Sequence, residues 1–250
     1  MPAISLETVK RITLATALAA VCWAIPGCQS ITPTTTYSLI RFIDASPDAP
    51  GLDMYQGNTV DVYNLGFGSV TSYIPTSPGT YRFSAYSAGT KQSLISTSAG
   101  IATGTQYTVM VSNIDANLEE KVFPDQSQSA PSGQIAIRII NEATQSGPYD
   151  VYMVPSGVKL INVNPIATDV TFDTVGSYIN IPTSSYSIEI LPTGTTLTST
   201  TVATYSSALT PYTAGSAHTF LILDQQIITT PGAQVLIIDD YEPPGSVAAN

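Results

Sequence analysis

At 250 residues the chain has room for one large domain or two of ordinary size, and length alone does not choose between them. Charged residues are only 10% of it and hydrophobic ones 43%, with 14 Tyr and 18 Pro, which favours short strands joined by turns over long solvated helices. The formal net charge of −10 gives a surface that repels nucleic acid and anionic lipid, so both are excluded as partners.

The first segment reads as a processing signal. Lys10 and Arg11 precede an uncharged run over residues 12–25, which is 25 − 11 = 14 residues long and too short to span a bilayer. The run ends in Ile25-Pro26-Gly27-Cys28, apolar then small then Cys, which resembles the lipobox of bacterial lipoproteins. That resemblance implies a signal peptide over 1–27 and a mature N-terminus at Cys28, whose acyl chains would each add about 0.8 kcal/mol of membrane affinity per buried CH₂. Gln29 and Ser30 follow where an Asp would resemble an inner-membrane retention signal, which points to the outer membrane. The alternative is ordinary secretion with Cys28 merely near the cut. Cleavage would remove Cys22, Trp23, Glu7, Lys10 and Arg11, leaving a net charge of 6 − 17 = −11 and Cys28 as the sole cysteine. Neither a disulfide nor a thiolate metal site is then expected, and no cofactor.

Residues 28–36 are polar and Thr-rich and read as a tether. Apolar β-branched and aromatic runs then recur between turn signals at 39–44, 52–56, 60–63, 69–74, 80–86, 92–98 and 106–114, a sandwich pattern for a domain over 37–123. The stretch 124–133, PDQSQSAPSG, has almost no apolar content and reads as an exposed linker. A second domain over 134–242 shows strand patterns at 134–141, 149–154, 158–161, 169–172, 177–181, 186–191, 196–204, 217–224 and 234–239, and the tail 243–250 reads as disordered. No window of eleven residues carries a 3.6-residue period, so helix is expected only as single turns.

The two domains are copies of one another. Arg41 and Arg138, Asp53 and Asp150, and Tyr55 and Tyr152 are each 97 positions apart, while Tyr73 and Tyr178, Tyr81 and Tyr186, and Gly89 and Gly194 are each 105 apart. An insertion of 105 − 97 = 8 residues in the second copy accounts for the change. Two copies do not make a solenoid, so each carries its own core, and the expected architecture is two tandem β-sandwiches.

Asp44-Ala-Ser-Pro-Asp-Ala-Pro-Gly51 followed by Leu-Asp-Met-Tyr55 is a strand, a Pro-rich turn and a second strand. With Phe67-Gly68 and Pro78-Gly79-Thr80-Tyr81, it resembles the bacterial envelope family catalogued as domain-of-unknown-function family 4397. The second copy keeps Tyr149-Asp-Val-Tyr152 but not the Ser-Pro-Asp turn, and Asp44 stands where the family usually has His. The resemblance implies an immunoglobulin-like or transthyretin-like sandwich and an envelope location, and it implies no activity.

Repetition of Arg41, Asp53 and Tyr55 as Arg138, Asp150 and Tyr152 favours a structural role, either an ion pair between neighbouring strands or a locked turn, since one active site needs one copy. The unshared loop 44–51 is the expected ligand-contact region, with Asp44, Ser46 and Asp48 as its candidates. Asn113 to Glu120 alternates oxygen-bearing side chains but lacks the Gly and closing Glu of a calcium loop, and reads as solvated. His218, the only histidine, aligns with Tyr107 and reads as a strand residue, because no Gly-x-Ser-x-Gly elbow accompanies it and one His builds no multi-His zinc site. The expectation is a non-enzymatic, lipid-anchored envelope protein with a glycan or protein ligand and no metal. The alternative is a carbohydrate-active or other hydrolytic enzyme using carboxylates around the first-domain turn.

Overall fold

A computed structural model describes residues 37–225 and 232–244. The lipobox, Cys28, the whole tether over 28–36 and residues 245–250 of the expected disordered tail lie outside the described residues. The first copy runs β1 (Ser38–Asp44), β2 (Leu52–Gln56), β3 (Thr59–Leu65), β4 (Ile74–Thr76), β5 (Gly79–Ser87), β6 (Ser93–Ile101), β7 (Gln106–Ser112) and β8 (Glu119–Asp125). The second runs β9 (Gln134–Asn141), β10 (Tyr149–Pro155), β11 (Ala167–Val170), β12 (Thr174–Val175), β13 (Ile179–Pro182), β14 (Ser185–Pro192), β15 (Tyr205–Ser206), β16 (Thr210–Pro211), β17 (Ala217–Asp224) and β18 (Ala233–Tyr241). Among the described residues, helix appears only as 3-10 turns at Asp115–Asn117 and Leu160–Asn162.

Each copy is a sandwich of two sheets. In the first, β4-β1-β7-β8 faces β3-β2-β5-β6; in the second, β9-β17-β18 with β12 and β13 faces β11-β10-β14 with β15 and β16. The pairings of β1 with β7 and of β9 with β17 are parallel, which takes both strands of each pair to the middle of their sheet. The β2–β3 hairpin turns through Gly57, whose φ of 61° is the left-handed conformation that a tight hairpin needs. Inward residues alternate as a half-buried strand requires: Ile40, Phe42, Leu52, Met54, Phe83, Val109 and Val111 fill the first core, and Ile137, Ile139, Val151, Ile188, Phe220 and Ile222 the second.

The strands β1, β7, β9 and β17 are buried on both faces, and this explains their nearly unbroken apolar runs. Their outward residues form a third apolar cluster in which Ile43, Ala45 and Met110 of the first sandwich meet Ile140, Leu221, Leu223 and Ile238 of the second. The described residues accordingly form one compact unit. The linker read from composition is only partly an exposed connector. Pro124 and Asp125 complete β8, Asp125 is 6% exposed, and Ala130 is buried against Ala136 and Ala217.

Three expected strands differ. Residues 69–74 give only a bridge from Val70 to Ile43 before β4, residues 158–161 fold into a turn and the second 3-10 turn, and residues 196–204 are irregular. The last two segments carry apolar side chains for another reason. Leu160, Val163, Leu197 and Ala203 pack on the outer face of the second sandwich, over Tyr152, Val154 and Leu191.

Candidate functional site

The repeated arginines do not pair with the repeated aspartates. Arg41 bridges to Asp240, with Asp125 at 3.5 Å, and Arg138 donates to Asp125 at 2.5 Å, with Asp240 at 3.8 Å. Each guanidinium therefore crosses from its own sandwich to the acid of the other. Within each sandwich a strand hydroxyl supports that acid: Thr108 and Tyr73 both donate to Asp125 at 2.7 Å, while Thr219 and Tyr178 donate to Asp240 at 2.6 and 2.8 Å.

The correspondence extends to the remaining bonds. Arg41 Nε donates to Thr108 and Arg138 Nε to Thr219, and each guanidinium lies 4.8 Å from a tyrosine ring, Tyr73 and Tyr178 respectively. Their other nitrogens reach backbone carbonyls across the interface, Asp239 from Arg41 and Pro124 from Arg138. The lock is thus two-fold in character, with two cations and two anions all at most 6% exposed. Burial opposes the charge on Arg41, but the adjacent Asp125 and Asp240 outweigh it and raise its pKa. Burial, then Asp125 and Asp240, push the Tyr73 and Tyr178 phenols upward, so both remain donors.

Asp53 and Asp150 lock turns instead. Asp53 accepts from the backbone N–H of Asn64 at 2.9 Å and of Gly89 at 3.0 Å, and Asp150 from those of Asp169 at 3.0 Å and Gly194 at 3.1 Å. Asn64 and Asp169 both sit at positive φ, 51° and 52°, so the same strained turn is held by the same carboxylate in each copy.

Tyr55 and Tyr152 separate the copies. Both lie on the outer face of a sheet. In the first sandwich Tyr55 and Tyr86 are half-buried with ring centroids 4.8 Å apart. Their counterparts Tyr152 (55 + 97) and Leu191 (86 + 105) are 4% and 1% exposed beneath the covering segments just described. The inserted residues of the second copy make up part of that cover.

The expected ligand-contact loop faces inward at two of its three candidates. Asp44 and Ser46 are fully buried, Asp44 accepting from the Ser46 N–H at 3.0 Å, and neither is reachable by a ligand. Burial pushes the Asp44 carboxyl up to about 7, offset in part by that bond. Asp48 is exposed and caps the Asp115 N–H at 2.7 Å. The 113–120 oxygens do not converge: Asn113 donates to Glu119 at 3.1 Å, Lys121 lies 3.6 Å from Glu119, and the Glu119–Glu120 pair belongs to β8.

His218 has partners that the sequence did not reveal. Ser216 Oγ lies 2.7 Å from Nε2, and Asp239 Oδ1 lies 2.9 Å from Nδ1, a Ser–His–Asp series across the antiparallel β17–β18 pair in which His218 faces Asp239. The hydrogen bond to His218 holds the Asp239 carboxyl below the usual carboxylate range. Ser216 is fully buried, so no substrate carbonyl reaches its Oγ, and the series is not a nucleophile with its base.

These features define an all-β protein of two tandem β-sandwiches joined through a buried charge lock. The family model described as "Domain of unknown function (DUF4397)" matches residues 38–152, the whole first sandwich, β9 and the first part of β10. No curated protein matches the chain. Two solved structures are similar in part. One, titled for alpha-glucan binding by a streptococcal virulence factor, is 13% identical with a TM-score of 0.27, over 74% of this chain and 92% of its own. The other, CBMbc of family CBM26 from Eubacterium rectale Amy13K, solved with maltoheptaose, is 10% identical with a TM-score of 0.25, over 83% of this chain and 98% of its own. Likeness at this level leaves the site to be read from the chain's own residues.

Proposed function

We propose that the chain is a non-enzymatic, lipid-anchored protein of the bacterial cell envelope that binds a ligand on the outer sheet face of its first sandwich. One observation carries the binding reading: the same sheet position holds the paired, half-exposed rings of Tyr55 and Tyr86 in the first copy and the covered, buried Tyr152 and Leu191 in the second. A tyrosine pair offers rigid amphipathic area at low entropic cost and suits a partner with apolar faces and hydroxyl or amide edges, a glycan or an extended peptide. The non-catalytic reading is supported by where the repeated charges go, since Arg41, Arg138, Asp53 and Asp150 all hold the fold.

Screening the protein on glycan and peptide arrays tests this. A Tyr55→Ala, Tyr86→Ala variant is expected to lose at least about tenfold in affinity for whatever the parent retains, the scale of a truncated aromatic hot spot. A parent that binds equally well without both rings would remove the site.

The anchor rests on residues 10–28. A Cys28→Ser variant is expected to leave the membrane fraction, because the acyl chains on that residue would be the attachment. Unchanged partitioning on fractionation sinks the lipoprotein reading and leaves the sheet-face reading standing.

A further inference from the structure

Beside the mouth of the Ser216–His218–Asp239 series lies a cavity of about 140 Å³ lined by Thr210, Tyr212, His218, Asp239 and Glu242. One ligand-capable atom from each of His218, Asp239 and Glu242 lies within 4.8 Å of the others. We propose that these three side chains bind a divalent transition metal ion of the zinc type, with the Tyr212 hydroxyl contacting the water that completes its coordination.

One separation is close to that required by a shared ion. Ligands placed ~2.0–2.2 Å from zinc stand roughly 3.3–3.6 Å from each other in a tetrahedron, so His218 Nδ1 and Asp239 Oδ1, in hydrogen-bond contact at 2.9 Å, move slightly apart as the ion takes the place of the shared proton. Glu242 Oε1 lies 3.9 Å from the other ring nitrogen, Nε2, and is 37% exposed, so joining an ion at Nδ1 requires its side chain to rotate and exchange its present contacts. Binding through Nδ1 leaves Nε2–H to donate to Ser216 Oγ at 2.7 Å, the second bond that fixes the ring of a metal-ligating histidine. The buried serine, useless as a nucleophile, then has a positioning role.

A separate observation points to an occupant. Tyr212 is 6% exposed, its ring packs edge-on to the His218 ring at 5.1 Å, and its hydroxyl has no hydrogen-bond partner among the described residues. A buried phenol left unpartnered costs about 1–3 kcal/mol. A His218–Asp239 ion pair does not account for this hydroxyl. A metal-bound water accepts from the phenol. Nitrogen among the ligands selects a transition metal over calcium or magnesium, which take oxygen sets.

The first copy is an internal control, because Tyr107 (218 − 111) stands at the His218 position in its β7. The full chain, prepared without a histidine tag and stripped with EDTA, is titrated with zinc against a chromogenic chelator and with cobalt(II) by visible absorption. The expected result is one saturable zinc per chain, at least tenfold weaker in both His218→Tyr and the Asp239→Asn, Glu242→Gln variant, with cobalt bands that vanish in the same variants. Should His218→Tyr fail to fold, the carboxylate variant decides, since its changes fall on exposed side chains. No saturable zinc, or equal zinc in parent and carboxylate variant, overturns the proposal.

Discussion

Replacing Asp125 with Ala is expected to cost about 3–5 kcal/mol of stability, the scale on which removing one member of a buried charge network leaves its partners uncompensated. Asp125 is the acceptor for Arg138, Tyr73 and Thr108 at once, and the variant strands the buried Arg138 and Thr108 donors and takes the acceptor from the half-buried Tyr73 hydroxyl. Arg138 is 3% exposed and keeps as a carboxylate partner only the more distant Asp240, at 3.8 Å. An Asp115→Ala change on the exposed 3-10 turn serves as the surface comparison and should stay within about 0.5 kcal/mol. Urea unfolding reads both, as a shift of midpoint at unchanged slope. Because the two acids answer arginines of opposite sandwiches, an Arg41 and Asp240 double-mutant cycle should return a coupling energy on the order of 1–3 kcal/mol, though the residues belong to different repeats. An Asp125→Ala loss near zero would mean that the apolar cluster around Met110 and Leu221 joins the sandwiches unaided.

The lock shows why the sequence was readable in one layer and opaque in the next. Two sandwiches follow from strand-length apolar runs and from the offsets of 97 and 105, because a side chain doing the same job in both copies stays in register with its strand. The acids that answer Arg41 and Arg138 are 115 positions apart, at 125 and 240, since loops of unequal length precede them. The first also falls in a Pro- and Ser-rich stretch whose composition marks a linker. Asp53 and Asp150 shared the arginines' offset and so looked like their partners. Shared offset reports membership of the same repeat, whereas contact is decided by which strands pair and which faces meet. Apolar residues on the outward side of β1, β7, β9 and β17 were the available signal that these sheets are covered twice.

The His218 cluster was hidden for a related reason. His218 and Asp239 face each other across two strands, a relation set by register and invisible to spacing. Leu160 misled in the opposite direction. Its apolar, β-branched surroundings suggested a strand over 158–161, but after Gly157 at φ 77° the chain turns and lays Leu160, with Val163, over Tyr152 as a cover of side chains.

An Asp44→Asn variant is expected to be more stable than the parent at pH 8 and to lose that advantage near pH 4. Asp44 Oδ2 is buried with no hydrogen-bond partner among the described residues, and burial lifts the carboxyl from 3.8 to about 7. The unfolded chain therefore ionises near 4 while the folded one keeps its proton to about 7, so between those values the folded state binds more protons. Stability falls as pH rises through that window and levels off above it. A displacement of about three units corresponds to roughly 4 kcal/mol at the alkaline end. Asparagine has the same shape and no charge to desolvate; unmet amide donors return about 1–3 kcal/mol of the gain, leaving a net stabilisation of about 1–3 kcal/mol at pH 8. The second copy carries this solution already, since the equivalent residue is Asn141 (44 + 97), which donates to the Val170 carbonyl at 2.8 Å and accepts from the Ala143 N–H at 3.0 Å. Glu120, raised to about 7 by burial, and Glu142, raised by burial against the pull of Lys121, slope the same way in parent and variant. The difference between the two curves thus belongs to Asp44. Urea midpoints at half-unit steps from pH 4 to 8 measure it, and parallel curves would show that Asp44 titrates as an ordinary surface carboxylate.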